Sequence, residues 1–345
     1  MVERYVRDVE VVGSNPVTSI YILLLHLSIY LSISSSFTKV KGEDMKLHVF
    51  IEEIKERVSE VLGEDYEVSL KKVLKNNSVE FDCLIITHRF DNVSPSIYLN
   101  SFYLEYLNGV PMETLVDGVI ATYKNCLEQF DRSKCSLIDT EHAEEHIVLR
   151  LVNYARNIRI LEECPHIRCK DLALIYHYML SDDNSDGLVS VRIDYSNMAF
   201  FKLTEEKLKE KALENTERLF PPVFEKVEYL MKEYCRRMIG NAFTFGDERF
   251  ADMFPMYVLT SKSRMNGAVC MLYKGMLERI KKTLGKGFYI IPSSINEILI
   301  LPESYGMNQE DLAEMVQSVN YDIVPETEVL SDSVYHYPDD ELQLF

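Results

Sequence analysis

The sequence predicts an α+β fold, in which antiparallel strand-strand-helix units form two modules joined by helices. The main observation is the stretch from Met256 to Ser304, whose apolar runs, turn residues and amphipathic helix follow the order strand, strand, helix, strand, strand. A second strand-strand-helix order lies between Leu172 and Pro221. Both orders favour an antiparallel layer over a doubly wound parallel sheet, because short turns suffice to connect antiparallel strands.

The first predicted elements are a helix and a hairpin that begin at Met45. Apolar residues recur every three or four positions up to Leu62, and Gly63 is typical of a helix end. The next two apolar runs alternate with polar residues. The Asn-Asn pair at 76–77 between them predicts a tight turn, because Asn tolerates positive φ. A third short strand is expected at 97–99.

Two helices are expected after this hairpin. Pro111 is typical of the first helical position, and apolar residues follow it at helical spacing up to Leu127. Apolar residues also recur at spacings of three and four from Ile147 to Leu161, which predicts another helix.

The second module is expected to open with a hairpin of strands 172–180 and 189–193. Thr204 then predicts the N-cap of a helix, because its hydroxyl can accept from a free backbone N–H and two Glu residues follow in the first turn. Further amphipathic helices are predicted at 224–239 and 308–320.

The stretch 256–304 supplies the last predicted sheet. Its helix is expected at 275–284, because apolar residues recur at helical spacing, two Lys residues lie near its end and Gly285 follows. The polar segment Ser261–Gly267 is expected to be a turn. Strands are predicted at 256–260, 268–273, 288–291 and 297–301.

Three regions are expected along the chain. Residues 1–44 are predicted to be a non-native extension, because residues 12–19 are similar to the conceptual translation of a transfer-RNA gene's T-arm and a globular pattern starts at Met45. The alternative is a membrane anchor, since 17–37 is uncharged and rich in apolar residues. Residues 45–163 are predicted to form a helix, hairpin and helical module, and residues 164–345 a strand-strand-helix module.

Composition limits the partners and the compartment. The net charge is −18 and no local basic patch offsets it, so no nucleic acid is expected as a partner. Seven scattered cysteines, an odd number, indicate reduced thiols in the cytoplasm. A membrane is expected as a partner only if residues 17–37 are translated and inserted. No phosphate-binding loop or dinucleotide fingerprint occurs, and no cofactor is expected.

The pentapeptide His142–His146 fits the H-x-x-E-H pattern of zinc hydrolases. In that pattern His142 and His146 would bind the metal one helical turn apart, and Glu145 would be the general base. An exposed polar first turn of a helix explains the same five residues, because the segment before them is acidic and no apolar wall surrounds it.

Two other segments could bind a ligand. The hydroxyls and cations of Ser261, Lys262, Ser263 and Arg264 could hold an anion, although turn-forming residues in a hairpin loop predict the same string. Cys164 and Cys169 lie close in sequence and could hold a metal, although buried thiols beside a Pro turn are the more common case.

Several segments resemble an uncharacterised bacterial family, a domain of unknown function whose members often lie near mobile elements. The resemblance extends from Met45 to Tyr337 and implies no known activity, cofactor or catalytic residue. The segments that carry it are 71–86 (KKVLKNNSVEFDCLII), 91–99 (DNVSPSIYL), 204–216 (TEEKLKEKALENT), 255–273 (PMYVLTSKSRMNGAVCMLY), 289–302 (YIIPSSINEILILP) and 328–337 (EVLSDSVYHY).

These observations favour a non-catalytic cytoplasmic binding or regulatory protein that takes a protein or a small ligand. The resemblance implies a mobile genetic element as its context. The alternative is a zinc-dependent hydrolase that uses the pattern at His142–His146.

Overall fold

The computed structural model describes residues 9–12, 46–89, 95–129, 142–179, 188–230, 256–292 and 294–338, and it has the α+β architecture that the sequence predicts. Elements up to residue 129 are β1 (Val9–Val12), α1 (Leu47–Leu62), β2 (Tyr66–Leu74), β3 (Glu80–His88), β4 (Ser96–Tyr98), α2 (Asn100–Leu107) and α3 (Met112–Gln129).

From residue 142 onwards, strands form most of the regular structure. The elements there are β5 (Ile147–Asn153), α4 (Ile158–Leu161), β6 (His166–Cys169), β7 (Leu172–Met179), β8 (Leu188–Arg192), α5 (Glu205–Leu219), β9 (Pro222–Lys226), β10 (Tyr257–Ser261), α6 (Met276–Leu284), β11 (Phe288–Ile291), β12 (Glu297–Pro302), α7 (Gln309–Asp322) and β13 (Tyr335–Tyr337).

The described residues divide into two compact units. The first unit contains 46–75 and 79–129, and the second contains 9–12, 76–78 and the described residues from 142 onwards. Of the predicted extension 1–44, only 9–12 lies within the described residues, where β1 pairs antiparallel to β8.

The first unit is a three-stranded antiparallel sheet covered by helices. Its strand order is β2-β3-β4. Helix α1 buries one apolar face, which includes Phe50 and Ile54, in a core shared with α3 and with Leu84 of β3. The predicted turn is confirmed, because Asn77 has a φ of 61°. The predicted end of α1 is also confirmed, since Gly63 is its C-cap with a φ of 78°.

The second unit contains two antiparallel sheets. One has the order β1-β8-β7-β5 with β6 also paired to β7, and the other has the order β13-β11-β12-β10-β9. The predicted hairpin β7-β8 and the predicted helix α6 are confirmed. The predicted cap is confirmed as well, because the Thr204 hydroxyl accepts from the backbone N–H of Lys207 at 3.4 Å.

The helix predicted from Ile147 to Leu161 is wrong over most of its length. Residues Ile147–Asn153 form β5, and a short helix follows only at Ile158–Leu161. The spacing of three and four was misleading, because nearly every residue of β5 is buried. A strand covered on both faces has an almost continuous apolar run, in which several periods can be found.

Two further predictions differ from the structure of the second unit, one of them only in part. The strand expected at 268–273 is a fully buried 3₁₀ turn, Gly267–Leu272. A Cβ on Gly267 would lie 2.3 Å from the Asn296 carbonyl oxygen, so only glycine permits this close backbone approach. The helix expected at 224–239 begins later than predicted, because 222–226 form strand β9, which pairs with β10. Residues 227–230 are helical, and 231–239 lies outside the described residues.

Within the described part of the chain, no helix combines the length and the hydropathy needed to cross a membrane. The segment 17–37 lies outside the described residues.

Candidate functional site

A surface groove lies in the first unit, between α1 and the strand β2. It has a volume of about 490 Å³, within the roughly 300 to 1,000 Å³ typical of ligand sites. Its lining combines apolar side chains with ionisable ones. The lining residues are Leu47, His48, Ile51, Glu52, Leu70, Lys71, Lys72 and Asp82.

The groove lies beside residues 47–52 of α1. Phe50 and Ile54 anchor the helix in the core, while Leu47 at its first turn remains only partly buried. On the strand side, Leu70 is also partly buried. These two apolar side chains therefore have surface that a bound molecule could cover.

Strand β2 is an edge of its sheet among the described residues, where it pairs only with β3. The backbone N–H of Lys75 donates to Val79 at 2.8 Å, and that of Arg89 donates to Asp65 at 3.0 Å. Both bonds join odd-numbered residues beside the ends of β2 to β3 or its flanks. Backbone groups alternate in direction along an antiparallel strand, so the odd-numbered residues of β2 direct their N–H and C=O groups to β3. The even-numbered residues from 66 to 74 therefore direct their N–H and C=O groups to the open edge.

The H-x-x-E-H segment has a different backbone geometry from the α-helix that the sequence predicts. Residues Ala143–His146 form a 3₁₀ turn that leads directly into β5, instead of the α-helix expected from the sequence. Asn215 of α5 fixes this turn, because its amide donates to the carbonyls of Glu144 at 2.7 Å and Ile147 at 3.0 Å. The Glu145 side chain is exposed. Zinc binding by His142 and His146 stays a prediction.

Across the described residues, no three side chains of His, Cys, Asp or Glu are grouped so that they could hold a metal ion. Cys164 and Cys169 are both buried. Burial raises the pKa of Cys164 to about 11 and also raises the pKa of Cys169. Burial therefore disfavours the thiolate, which is the nucleophilic form of cysteine.

The candidate anion loop follows β10. The Ser261 hydroxyl donates to the Met265 carbonyl at 2.6 Å, so it is already used inside the turn. Nη2 of Arg264 donates to Glu225 of β9, whereas Nη1 is buried and has no hydrogen-bond partner among the described residues. Lys262 is exposed. One of the two cations is thus paired to a carboxylate, which reduces the charge available for an anion, and anion binding stays a prediction.

A buried carboxyl that the sequence reasoning missed lies beside this loop. Glu297 at the start of β12 is only 2% exposed, and its Oε1 accepts from the Ser294 hydroxyl at 3.0 Å. Burial raises the pKa of Glu297 to about 8, and the nearby Glu328 carboxylate adds to this effect while Ser294 and Arg264 oppose it. The only signal in the sequence is a Glu directly before an apolar strand.

A second missed group holds the segment 329–335 in the second unit. Asp171 accepts hydrogen bonds from the hydroxyls of Ser331 and Tyr335. Asn153 donates its side-chain amide to the Leu330 carbonyl at 2.9 Å, and Asn77 donates to the Val329 carbonyl at 2.7 Å. These contacts join residues that are far apart in sequence, so no local pattern could indicate them.

Comparison with known proteins adds a family but no activity. A family model described as a family of unknown function (DUF5688) matches residues 47–339. No curated protein and no solved structure matches the chain.

Proposed function

Because the chain belongs to this family of unknown function, we propose a role from its geometry: it is a non-catalytic binding protein whose first unit takes a partner protein at the groove between α1 and β2. One observation carries the proposal. The partly buried Leu47 and Leu70 lie beside a strand edge whose backbone groups lack a strand partner among the described residues.

The groove and the edge together favour a polypeptide over a small ligand. An extended segment can hydrogen-bond to the backbone of an edge strand while its side chains enter a neighbouring apolar groove. The groove alone supplies shape and apolar surface. The strand edge adds regularly spaced donors and acceptors, which match the backbone of another protein.

We propose that the protein acts in the bacterial cytoplasm and is encoded by a mobile genetic element. The family resemblance and the scattered cysteines support it. Five cysteines are free thiols in the described residues, as expected in a reducing compartment. Fractionation of the native host tests this part, and recovery of the protein in the membrane or secreted fraction would contradict it.

The binding proposal is tested by capture of partners from the native host with matched variants. Leu47→Asp places a charge in the groove, yet an acidic residue in the first turn of α1 is favourable for the helix. Val49→Asp is the control, because Val49 is in the same first turn, is 45% exposed and does not line the groove. We expect Leu47→Asp to lose the captured partner and Val49→Asp to keep it. Equal capture by all three proteins would contradict a role for the groove.

A further inference from the structure

We propose that the partner at this surface is a second copy of the chain, whose β2 pairs antiparallel with β2 across a two-fold axis at Ser69. The inference rests on the proposed function, since it names the partner of the same surface. Two three-stranded sheets would then become one six-stranded sheet, and each copy would use the same patch, as in most two-fold dimers.

The direction of the backbone groups limits which registers are possible. Only even-numbered residues of β2 direct N–H and C=O groups to the edge that lacks a strand partner among the described residues, as the hydrogen bonds of Lys75 and Arg89 indicate. In antiparallel pairing these residues must lie opposite each other to exchange hydrogen bonds. An axis at Ser69 satisfies this condition, because Val68 then lies opposite Leu70 of the second copy and Tyr66 opposite Lys72.

Charge favours this register, because it alone places opposite charges across from each other near the axis. With the axis at Ser69, Glu67 lies opposite Lys71 of the second copy, and the symmetry creates this pair twice. Both side chains are exposed. They occupy non-hydrogen-bonded positions, where opposing side chains are closest. An axis at Lys71 would instead bring two Lys71 side chains together.

The apolar residues fit the same arrangement. Val68 and Leu70 are partly buried and belong to the face that packs on the core under α1. The two-fold axis places Val68 of the second copy opposite Leu70, which is a lining residue of the groove. Each copy therefore extends the apolar surface beside the groove of the other.

Two effects oppose formation of this dimer. Lysines on an edge strand often prevent edge-to-edge pairing, and two chains of net charge −18 repel each other. At a physiological ionic strength of about 0.15 M, charges more than about 8 Å apart are largely screened, whereas adjacent pairs are screened less. The Glu67–Lys71 pairs therefore keep most of their attraction, and the lysine at 71 favours pairing in this register.

Sedimentation equilibrium of the full chain at about 0.15 M salt tests the inference. We expect a species of twice the 40.1 kDa chain mass. Glu67→Lys and Lys71→Glu each place like charges opposite one another and are expected to weaken dimerisation at least tenfold. An equimolar mixture of the two single variants restores opposite charges at both positions, so it should form mixed dimers with affinity near that of the wild type. Failure of the mixture to associate would overturn the register.

A cysteine at the axis tests the geometry directly. Cα atoms of a non-hydrogen-bonded antiparallel pair are about 4.5 Å apart, within the range of roughly 4.4 to 6.8 Å for disulfides. Ser69→Cys is therefore expected to form a dimer-linking disulfide on mild oxidation. Glu67→Cys is the control, because position 67 lies opposite 71 and not opposite itself. Cross-linking of both variants to the same extent, or of neither, would overturn the proposed axis.

The outcomes separate this inference from the proposed function. A wild-type chain that remains monomeric up to about 100 μM, yet loses a captured host protein through Leu47→Asp, would overturn the second copy as partner and retain the groove as a binding surface. A dimer that neither charge variant weakens would overturn the pairing through β2.

Discussion

The core of the first unit consists of apolar and aromatic side chains, whereas every buried polar side chain among the described residues belongs to the second unit. Phe50 and Ile54 are typical of the first core. Asn157, Glu297 and Asn320 are typical of the second. Apolar packing requires complementary volume and has no direction, while a buried polar group requires a partner at a fixed distance and angle.

This difference indicates how each unit specifies its fold. In the first unit, the order helix, hairpin, strand already places neighbouring elements together, and packing of one helix face stabilises the result. In the second unit, many contacts join distant segments, and the hydrogen bonds of buried groups such as Asn157 and Asn320 distinguish the native pairing from others. Removal of a polar group there leaves its partner unsatisfied, which costs more than the lost bond alone.

The largest expected effect is on the apolar core of the first unit. Phe50→Ala should reduce the free energy of unfolding by about 3 to 5 kcal/mol, because it removes a fully buried ring. Val49→Ala, at an exposed neighbour on the same helix, should change it by less than about 0.5 kcal/mol. Urea unfolding followed by circular dichroism measures both. Equal midpoints for the two variants would contradict the apolar core.

The second effect concerns pH and the buried carboxyl of the second unit. The pKa of Glu297 is raised to about 8 in the folded state, so between pH 4.5 and 8 the folded chain holds a proton that the unfolded chain releases. The stability that this proton contributes is complete below the unfolded pKa and is lost as the pH rises towards 8, by up to about 1.4 kcal/mol per pH unit.

Glu297→Gln cannot ionise and should remove this slope, so the variant should lose less stability than the wild type between pH 5 and pH 8. Melting temperatures across this range measure the effect. Glu314→Gln, at an exposed position on α7, is the control and should keep the wild-type slope. A wild-type slope in both variants would show that Glu297 does not hold the proton.

A smaller loss of stability is expected when a buried amide that joins two segments of the second unit is removed. The Asn320 amide donates to the Ser331 carbonyl at 2.9 Å and to Asp332 at 2.8 Å. Asn320→Ala should cost about 1 to 3 kcal/mol, because it leaves a buried carbonyl unsatisfied. Ser318→Ala, on the exposed face of the same helix, should change the unfolding free energy by less than about 0.5 kcal/mol. Equal urea midpoints would indicate that water replaces the amide.

Substitutions in the loop after β10 should change the free energy of unfolding less. Arg264→Ala should cost about 1 kcal/mol, because the ion pair with Glu225 is partly buried, and Lys262→Ala should cost less than about 0.5 kcal/mol. Thermal melts with added phosphate test the anion loop, since a bound anion would stabilise the wild type. A gain that Arg264→Ala abolishes would support anion binding, and an equal change in both proteins would contradict it.

No change in zinc content is expected when the H-x-x-E-H segment is altered. A 3₁₀ turn fixed by Asn215 does not place His142 and His146 one α-helical turn apart. We therefore expect the zinc content of the purified protein to be the same in the wild type and in His146→Ala, as measured by atomic emission. Stoichiometric zinc that this variant loses would revive the hydrolase alternative.

The sequence predicted α1 and the hairpin β2-β3 well because their signals are local. The ends of α1 at Gly63 and of the hairpin at Asn77 depend on backbone conformations that these residue types favour. The prediction failed at β5 and at the turn Gly267–Leu272, where burial on all sides removes the periodicity. In both segments the apolar run is defined by packing against distant residues, which a single sequence does not reveal.

The groove could not be predicted for a related reason. Its lining combines Leu47 of α1 with Leu70 and Asp82 of two strands, and only the packing of the helix brings them together. Glu297 is equally hidden, since its raised pKa follows from burial by other segments. Residue types indicated the fold class, but the chemistry of these positions depends on distances that arise only in the folded chain.

The position of the residues that hold segment 329–335 has a consequence for biosynthesis. A ribosome releases the chain from its N-terminus, so Asp171 and Asn153 emerge long before Ser331, Leu330 and Tyr335, which bind them in the folded protein. Until then Asp171 and Asn153 lack these partners, and we expect the unfinished second unit to be cleaved by proteases more readily than the complete one. Chains shortened by a premature stop codon before Tyr335 should therefore be degraded, which makes completion of this segment a quality check on synthesis.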